Sequence, residues 1–291
     1  MKISASSYSF QQYLNAGKLT QLSCIRQAAE LGFDAVEFVG IRNHNGYSET
    51  EYAKKLRREA RDAGLEISCY TVGADFLSGS GGDVKAEINR VKRQVELGAA
   101  LGVVRMRHDA TAGDPPGQNA RSFSEVLPLL AEACAEIAEY AAGFGICTMV
   151  ENHGFFCQDS QRVVKLFKAV NRANFGLLCD MGNFLCVDES PVDACMAVAP
   201  YTKYVHAKDF YIRQADSAPV GEGWFRSRGG AYLRGAVLGR GDVPAQRCLE
   251  ILRGAGYNGT IALEFEGDQD CIAALAEGLA FLRRLFGGTS E

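Results

Sequence analysis

Apolar positions along this chain follow two rhythms that alternate from one end to the other. Short runs of aliphatic, β-branched and aromatic residues read as buried strands at Lys2–Ser7, Asp34–Val39, Leu65–Thr71, Val103–Arg107, Ile146–Glu151, Phe175–Asp180, Tyr204–Lys208 and Thr260–Glu264. Between them the apolar positions recur at a helical period over Leu19–Leu31, Glu51–Ala63, Val84–Leu101, Phe123–Ala142, Ser160–Val170, Val192–Ala199, Pro244–Ala255 and Asp270–Leu285. Glycine follows several helical segments, at Gly32, Gly64, Gly102, Gly143 and Gly256, where a left-handed cap turns the chain toward the next strand. These alternations, without an obvious linker, predict a closed (β/α)₈ TIM barrel built as a single domain over residues 1–291. A doubly wound sheet shares the alternation, but no GxGxxG follows the first strand.

Four predicted strands of the second half end on side chains that bind hard metal ions: Glu151, Asp180, His206 and Glu264. A carboxylate or imidazole at the end of a buried strand needs a partner, and four in succession point to one shared site. The carboxyl ends of barrel strands form the active-site face. Strand alternation sends Met149 and Cys147 inward with Glu151, and Ala262 and Thr260 inward with Glu264. The same parity sets His153 above Glu151, Lys208 above His206 and Glu266 above Glu264, as candidate substrate contacts. Three carboxylates and one imidazole favour a single divalent ion, Mn²⁺ expected and Mg²⁺ or Co²⁺ as alternatives, over a thiolate-type structural zinc. The chain reads as a metal-dependent enzyme.

Composition narrows this reading. The formal net charge of −4 argues against nucleic acid as the main partner, because phosphate neutralisation calls for a basic surface. The start, MKISASSYSF, lacks the apolar core of a signal peptide, and no apolar stretch reaches the roughly 20 residues that span a bilayer, so a cytoplasmic protein without membrane partners is expected. The 10 cysteines contain no CxxC pair, and several fall inside apolar runs or helical patterns, so they read as reduced, structural residues.

ENHG, CDMGN, VHAKD and LEFEG, at these intervals in an eight-fold barrel, resemble the xylose isomerase-like barrel superfamily of sugar isomerases and epimerases. In its ketose 3-epimerase branch two glutamates, a histidine and an aspartate hold a divalent cation, and the glutamates also exchange protons with the sugar. The resemblance assigns acid/base roles to Glu151 and Glu264 and pure ligand roles to Asp180 and His206. It implies a metal-stabilised enediolate: the cation polarises a carbonyl while one carboxylate removes the neighbouring proton and the other returns it on the opposite face. A homo-oligomer fits such barrels.

The substrate shell departs from that branch. Asn183 stands where its D-x-x-H arrangement has a histidine that touches substrate, Cys157 where it has a glutamate, and Ile212 where it has an arginine, with Arg213 one position away. These differences point away from a simple free ketose. His153 suits a general base, or alternatively caps a loop through a backbone hydrogen bond. A base there fits relatives that dehydrate keto-inositols or cleave 3-oxo-glycosides. Glu37 either meets substrate hydroxyls or pairs with a basic neighbour such as Arg105 or Arg107, and Lys208 either pairs with Asp209 or holds a substrate oxyanion. Candidate substrate contacts are thus Glu37, Asn183, Lys208, Arg213 and Glu266. His44 and His108 have no ligand spacing and are expected at the periphery.

The segment 210–243 leaves the active-site face as a long loop, rich in arginine around Trp224, Phe225 and Tyr232, and serves as a lid or an oligomer contact. Three function classes follow: an isomerase or epimerase on a keto-sugar, a metal-dependent lyase on a keto-sugar or keto-inositol, and a noncatalytic sugar-binding barrel. The apurinic endonucleases of the same superfamily need many histidines, and this chain has 4.

Overall fold

The computed structural model describes residues 1–42, 46–114, 120–217 and 221–287. Its strands are, in chain order, β1 (Ile3–Ser6), β2 (Ala35–Val39), β3 (Glu66–Val72), β4 (Arg105–His108), β5 (Cys147–Glu151), β6 (Phe175–Asp180), β7 (Thr202–Ala207), β8 (Asp209–Arg213), β9 (Phe225–Arg226), β10 (Tyr232–Ala236) and β11 (Ile261–Leu263). Strands β1–β7 and β11 close into a parallel barrel in the order β1-β11-β7-β6-β5-β4-β3-β2, which is the predicted (β/α)₈ fold. The helices are α1 (Gln11–Asn15), α2 (Gln21–Leu31), α3 (Glu49–Asp62), α4 (Val84–Leu101), α5 (Phe123–Ala142), α6 (Ser160–Val170), α7 (Pro191–Val198), α8 (Ala245–Gly254) and α9 (Cys271–Gly287). The short α1, preceded by a 3₁₀ turn over Ser7–Phe10, carries no helical period long enough to read from sequence.

Local chemistry fixes the helix starts. In α2 the Thr20 N–H donates to Ser23 Oγ at 2.8 Å and the Ser23 N–H to Thr20 Oγ1 at 3.2 Å, so two groups left over at the helix start are satisfied reciprocally. Ser48 and Glu51 do the same for α3. At the other ends Gly32 and Gly102 take the left-handed conformation that was expected. Gly143 does not: its φ is −61°, and the left-handed turn falls two residues later, at Gly145. There the Ile146 N–H returns to the Ala141 carbonyl and starts the path into β5.

Alternation along the strands separates two layers. Outward residues such as Val36, Val150 and Val205 pack with Ile25, Leu56, Leu130 and Leu166 of the helices, and each such burial contributes about 1.5–3 kcal/mol. Inward residues Cys69, Met149, Leu178, Tyr204 and Ala262 form a small plug under the active-site face, with Cys147 below it. Met149, Cys147 and Ala262 thus point as their parity with Glu151 and Glu264 required. The Tyr204 hydroxyl closes the plug through Ser68 at 2.7 Å, and Ser68 meets Ser4 at 2.8 Å.

Segment 210–243 is not one long loop. Strands β8, β10 and β9 form an antiparallel sheet, and residues 218–220 lie outside the described part. Its inner face buries Phe210 and Leu233 against Cys186. Asp209 anchors it by accepting backbone N–H bonds from Phe210, Gly239, Gly241 and Val243, which is why Asp209 is turned away from Lys208 and the expected pair between them is absent. All 10 cysteines are free thiols, nine of them buried. Among the described residues no helix is long and apolar enough to cross a membrane.

Candidate metal centre and its cavity

The register of the barrel brings the four strand ends to one level. His206 on β7 pairs with Asp180 on β6 and with Ala262 on β11, two residues before Glu264. Asn152 ties β5 to β6 by a reciprocal pair: the Asp180 N–H donates to its Oδ1 at 2.9 Å, and its Nδ2 donates to the Asp180 carbonyl at 2.8 Å. The Asp180 Oδ1 accepts from the N–H groups of Gly182 and Asn183, which leaves Oδ2 facing inward. His206 Nδ1 lies 3.6 Å from Glu151, 3.6 Å from Glu264 and 3.8 Å from Asp180. One ligand atom from each of Glu151, Asp180, His206 and Glu264 falls within 4.8 Å of the others. Two metal–ligand bonds of about 2.0–2.6 Å span such separations.

Two atoms of this set test the fit of an ion. Asp180 Oδ2 and His206 Nδ1 are buried without a well-directed hydrogen bond, Oδ2 meeting the Lys208 ammonium at 3.2 Å. A buried nitrogen without a hydrogen bond is costly, and His206 Nδ1 faces Asp180 Oδ2 at 3.8 Å. The other imidazole nitrogen explains the orientation: His206 Nε2 lies 3.1 Å from both oxygens of Glu37, so Nε2–H donates there and the Nδ1 lone pair faces the carboxylates. A buried carboxylate–histidine arrangement of this kind raises ligand basicity. Burial opposes protonation of His206, yet Glu37, Glu264 and Glu151 outweigh it and hold the imidazole well above its ordinary range. Burial drives Asp180 up to about 6, against the pull of Lys208. Burial would also raise Glu151 and Glu264, but Arg107 holds the first well below the carboxylate range and Lys208 lowers the second. The cluster could hold one divalent ion, and binding would require His206 to give up its proton.

Above these four side chains lies a cavity of about 140 Å³, lined by Glu151, Glu264, Lys208 and Glu266 together with Tyr8, Val39, Thr71 and Arg107. His153 lines its mouth. Lys208 Nζ reaches Glu264 at 2.5 Å, Asp180 at 3.2 Å and Glu266 at 3.5 Å. Arg107 spans Glu151 at 2.7 Å and Asp109 at 2.6 Å. Asp109 in turn meets His153 Nδ1 at 2.9 Å, so the imidazole is tied to a carboxylate and not to the backbone. Burial alone would lower His153, but the bond to Asp109 carries it above its ordinary range.

Several expected positions change meaning. Glu37 is fully buried beneath the ligands with His206 and Ser6, not paired with Arg105 or Arg107. Asn183 sits among the ligands, donating from Nδ2 to Glu151 at 3.0 Å. Arg213 does not line the cavity: it is exposed on β8 with its guanidinium 5.1 Å from the Trp224 ring. His108 is not peripheral. It is completely buried, facing outward from β4 between Phe76 and Phe175, because the residue before it, Arg107, takes the inward side. His44 lies outside the described residues. The sequence reading missed Tyr8, Thr71 and Asp109; the spacing of Arg105, Arg107 and Asp109 was the available signal for a charged inward row on β4.

The model of the family described as xylose isomerase-like TIM barrel matches residues 25–285. The chain belongs to that family. Among curated proteins it is similar to the uncharacterized protein YihM of Escherichia coli strain K12, 27% identical over 128 residues covering 44% of this chain and 35% of that protein. It therefore spans about a third of that relative's length. It is also 26% identical to the rhizopine catabolism protein MocC of Rhizobium meliloti, over 77% of this chain and 72% of that one. Solved structures show the same fold at lower identity. The probable 3-DHS dehydratase AsbF of Bacillus anthracis matches at a TM-score of 0.74 and 20% identity, covering 98% of this chain and 100% of its own. D-psicose 3-epimerase of Clostridium cellulolyticum H10 matches at 0.74 and 18%, covering 98% and 99%. A Mycobacterium smegmatis barrel in complex with magnesium matches at 0.73 and 19%, covering 99% and 98%. A dehydratase and an epimerase are equally close in fold, so the reaction must be argued from the side chains.

Proposed function

We propose that this protein is a divalent-metal-dependent sugar isomerase or epimerase that moves a proton beside the carbonyl of a keto-sugar through an enediolate. The supporting observation is the placement of two glutamate carboxylates, Glu151 and Glu264, each 3.6 Å from the same face-in nitrogen of His206. An ion held by Glu151, Asp180, His206 and Glu264, with Mn²⁺ expected and Mg²⁺ or Co²⁺ able to serve, supplies Lewis-acid polarisation of the carbonyl. Glu264 takes the proton on one face and Glu151 returns it on the other. Lys208 sits within reach of Glu264 and Glu266 and holds the substrate oxygen that gains charge. Glu37 fixes the His206 ring, and Asn183 fixes Glu151.

The test is solvent-deuterium incorporation, followed by NMR on keto-sugars with Mn²⁺ present. Glu264→Gln keeps shape and loses the base, so exchange should fall by about 10²–10⁴-fold while the fold is kept. Undiminished exchange in that variant sinks the role of Glu264.

A second reading is favoured by one contact, the bond of His153 to Asp109. With Nδ1–H donated to Asp109, Nε2 is left as a base at the cavity mouth, which suits a lyase that removes a proton and expels a group from the next carbon. His153→Asn should then abolish turnover and leave metal uptake intact. Under the two-glutamate reading the same variant should raise KM and spare kcat. Product oxygen count separates the two outcomes further, since a lyase loses water or an aglycone.

A further inference from the structure

At the amino ends of β3 and β4, the end of the barrel away from the metal centre, lies a second cavity of about 400 Å³. It opens between the last turns of α3 and the connection from α4 into β4. Leu65 and Ile67 at the entry to β3 and Val104 at the entry to β4 give it an apolar floor, and Arg57, Arg58 and Arg61 of α3 stand over that floor as cations. Val104 is 55% exposed, so it has apolar surface to lose to an occupant.

The carboxylates of this stretch are already taken. Glu59 is held by Arg26 at 2.6 Å, Asp62 by Arg61 at 3.0 Å, and Glu66 by Lys2. Among the described residues Arg57 and Arg58 therefore have no carboxylate partner, and neither donates a hydrogen bond. Arg57 is nonetheless fixed in place. Its side chain lies against Gly102, the left-handed cap of α4, where a Cβ would come within 2.6 Å of Nε and 2.7 Å of Cζ. The dipole of α3 does not account for the pair, because only Arg61 falls in the last turn, where that attraction is concentrated. Neighbouring guanidiniums with unused donors match the oxygens of a carboxylate or phosphate. The apolar floor beside them calls for an organic body on the same molecule.

We propose that this cavity binds a small soluble organic anion, a phosphomonoester or carboxylate whose oxygens meet Arg57 and Arg58 and whose apolar part lies on Leu65, Ile67 and Val104. The site shares no residue with the metal centre and goes beyond the enzymatic reading above. Isothermal titration calorimetry on the full chain, with and without Mn²⁺, tests it with phenyl phosphate, inorganic phosphate and benzyl alcohol as probes. Phenyl phosphate should bind saturably and at least about fivefold more tightly than either of the others, since only it uses both the cations and the floor. Its affinity should fall as salt is raised. The double variant Arg57→Gln, Arg58→Gln should weaken it by at least about fivefold. Val104→Ser should weaken phenyl phosphate by about 2- to 5-fold and leave inorganic phosphate as in the parent. No saturable binding of phenyl phosphate, equal binding of benzyl alcohol or inorganic phosphate, or undiminished binding in the double variant overturns the proposal. Cosedimentation with phosphatidylglycerol vesicles in place of phenyl phosphate binding would assign the face to a membrane and overturn it too. Mn²⁺ uptake, read on the same samples, belongs to the other end of the barrel: its absence overturns the metal reading and leaves this one standing.

Discussion

His206 and His108 are both buried at the carboxyl ends of barrel strands, yet their surroundings have nothing in common. His206 on β7 points inward, donates to Glu37 and turns Nδ1 toward three carboxylates. His108 on β4 points outward into the helix layer, bonded through Nδ1 to the Asp109 carbonyl, with Nε2 buried and unpartnered between Phe76 and Phe175. Burial acts on both in the same direction, but only His206 has anions enough to reverse it. The result is one imidazole held well above its ordinary range and another pushed down to about 4. What makes a buried histidine a candidate ligand is the face of the strand it occupies and the carboxylates that face supplies, not burial.

The sharpest way to break this contrast is to remove each imidazole in turn. His206→Ala should abolish stoichiometric Mn²⁺ uptake in calorimetry, whereas His108→Met should leave uptake as in the parent protein. Equal loss in both variants would refute the separation of the two layers. A subtler cut is Glu37→Gln, which keeps an acceptor for Ser6 and weakens the orientation and basicity of His206; Mn²⁺ affinity should fall about 10–100-fold.

Acid should expose the other histidine. The folded-state value of His108, about 4, lies below its unfolded value of about 6.5, so the unfolded chain binds the proton more readily. Stability is therefore fully present above about pH 6.5 and is lost as pH falls toward 4, by up to about 3 kcal/mol from this group. Urea midpoints of the parent and His108→Met, measured at pH 7 and pH 4.5, should diverge in favour of the variant at the lower pH. Parallel curves would show that His108 is not neutral in the fold. The smallest effect is expected outside both layers: Arg213→Ala removes one guanidinium from Trp224, costs about 0.5–1 kcal/mol and leaves Mn²⁺ affinity unchanged.

Much of this was legible before any coordinates. Hydrophobic period separated strands from helices, because each strand must bury both faces and each helix one stripe, and the lack of a GxGxxG after the first strand favoured the barrel over a doubly wound sheet. Glu151, Asp180, His206 and Glu264 could be read as one set because they end strands of known direction, and period-two parity is a property of the chain itself. His153, Lys208 and Glu266 followed from the same parity. What parity does not carry is which neighbour a side chain meets. Glu37 lies 169 positions from His206 in the chain and meets it only when the barrel closes. The parting of Lys208 from Asp209, the withdrawal of Arg213 onto Trp224 and the insertion of Tyr8 and Thr71 into the cavity wall depend likewise on contacts distant in sequence. Period and composition are local and survive in the one-dimensional string; pairing, charge balance and burial are set by the closure of the barrel, which determines what surrounds each group.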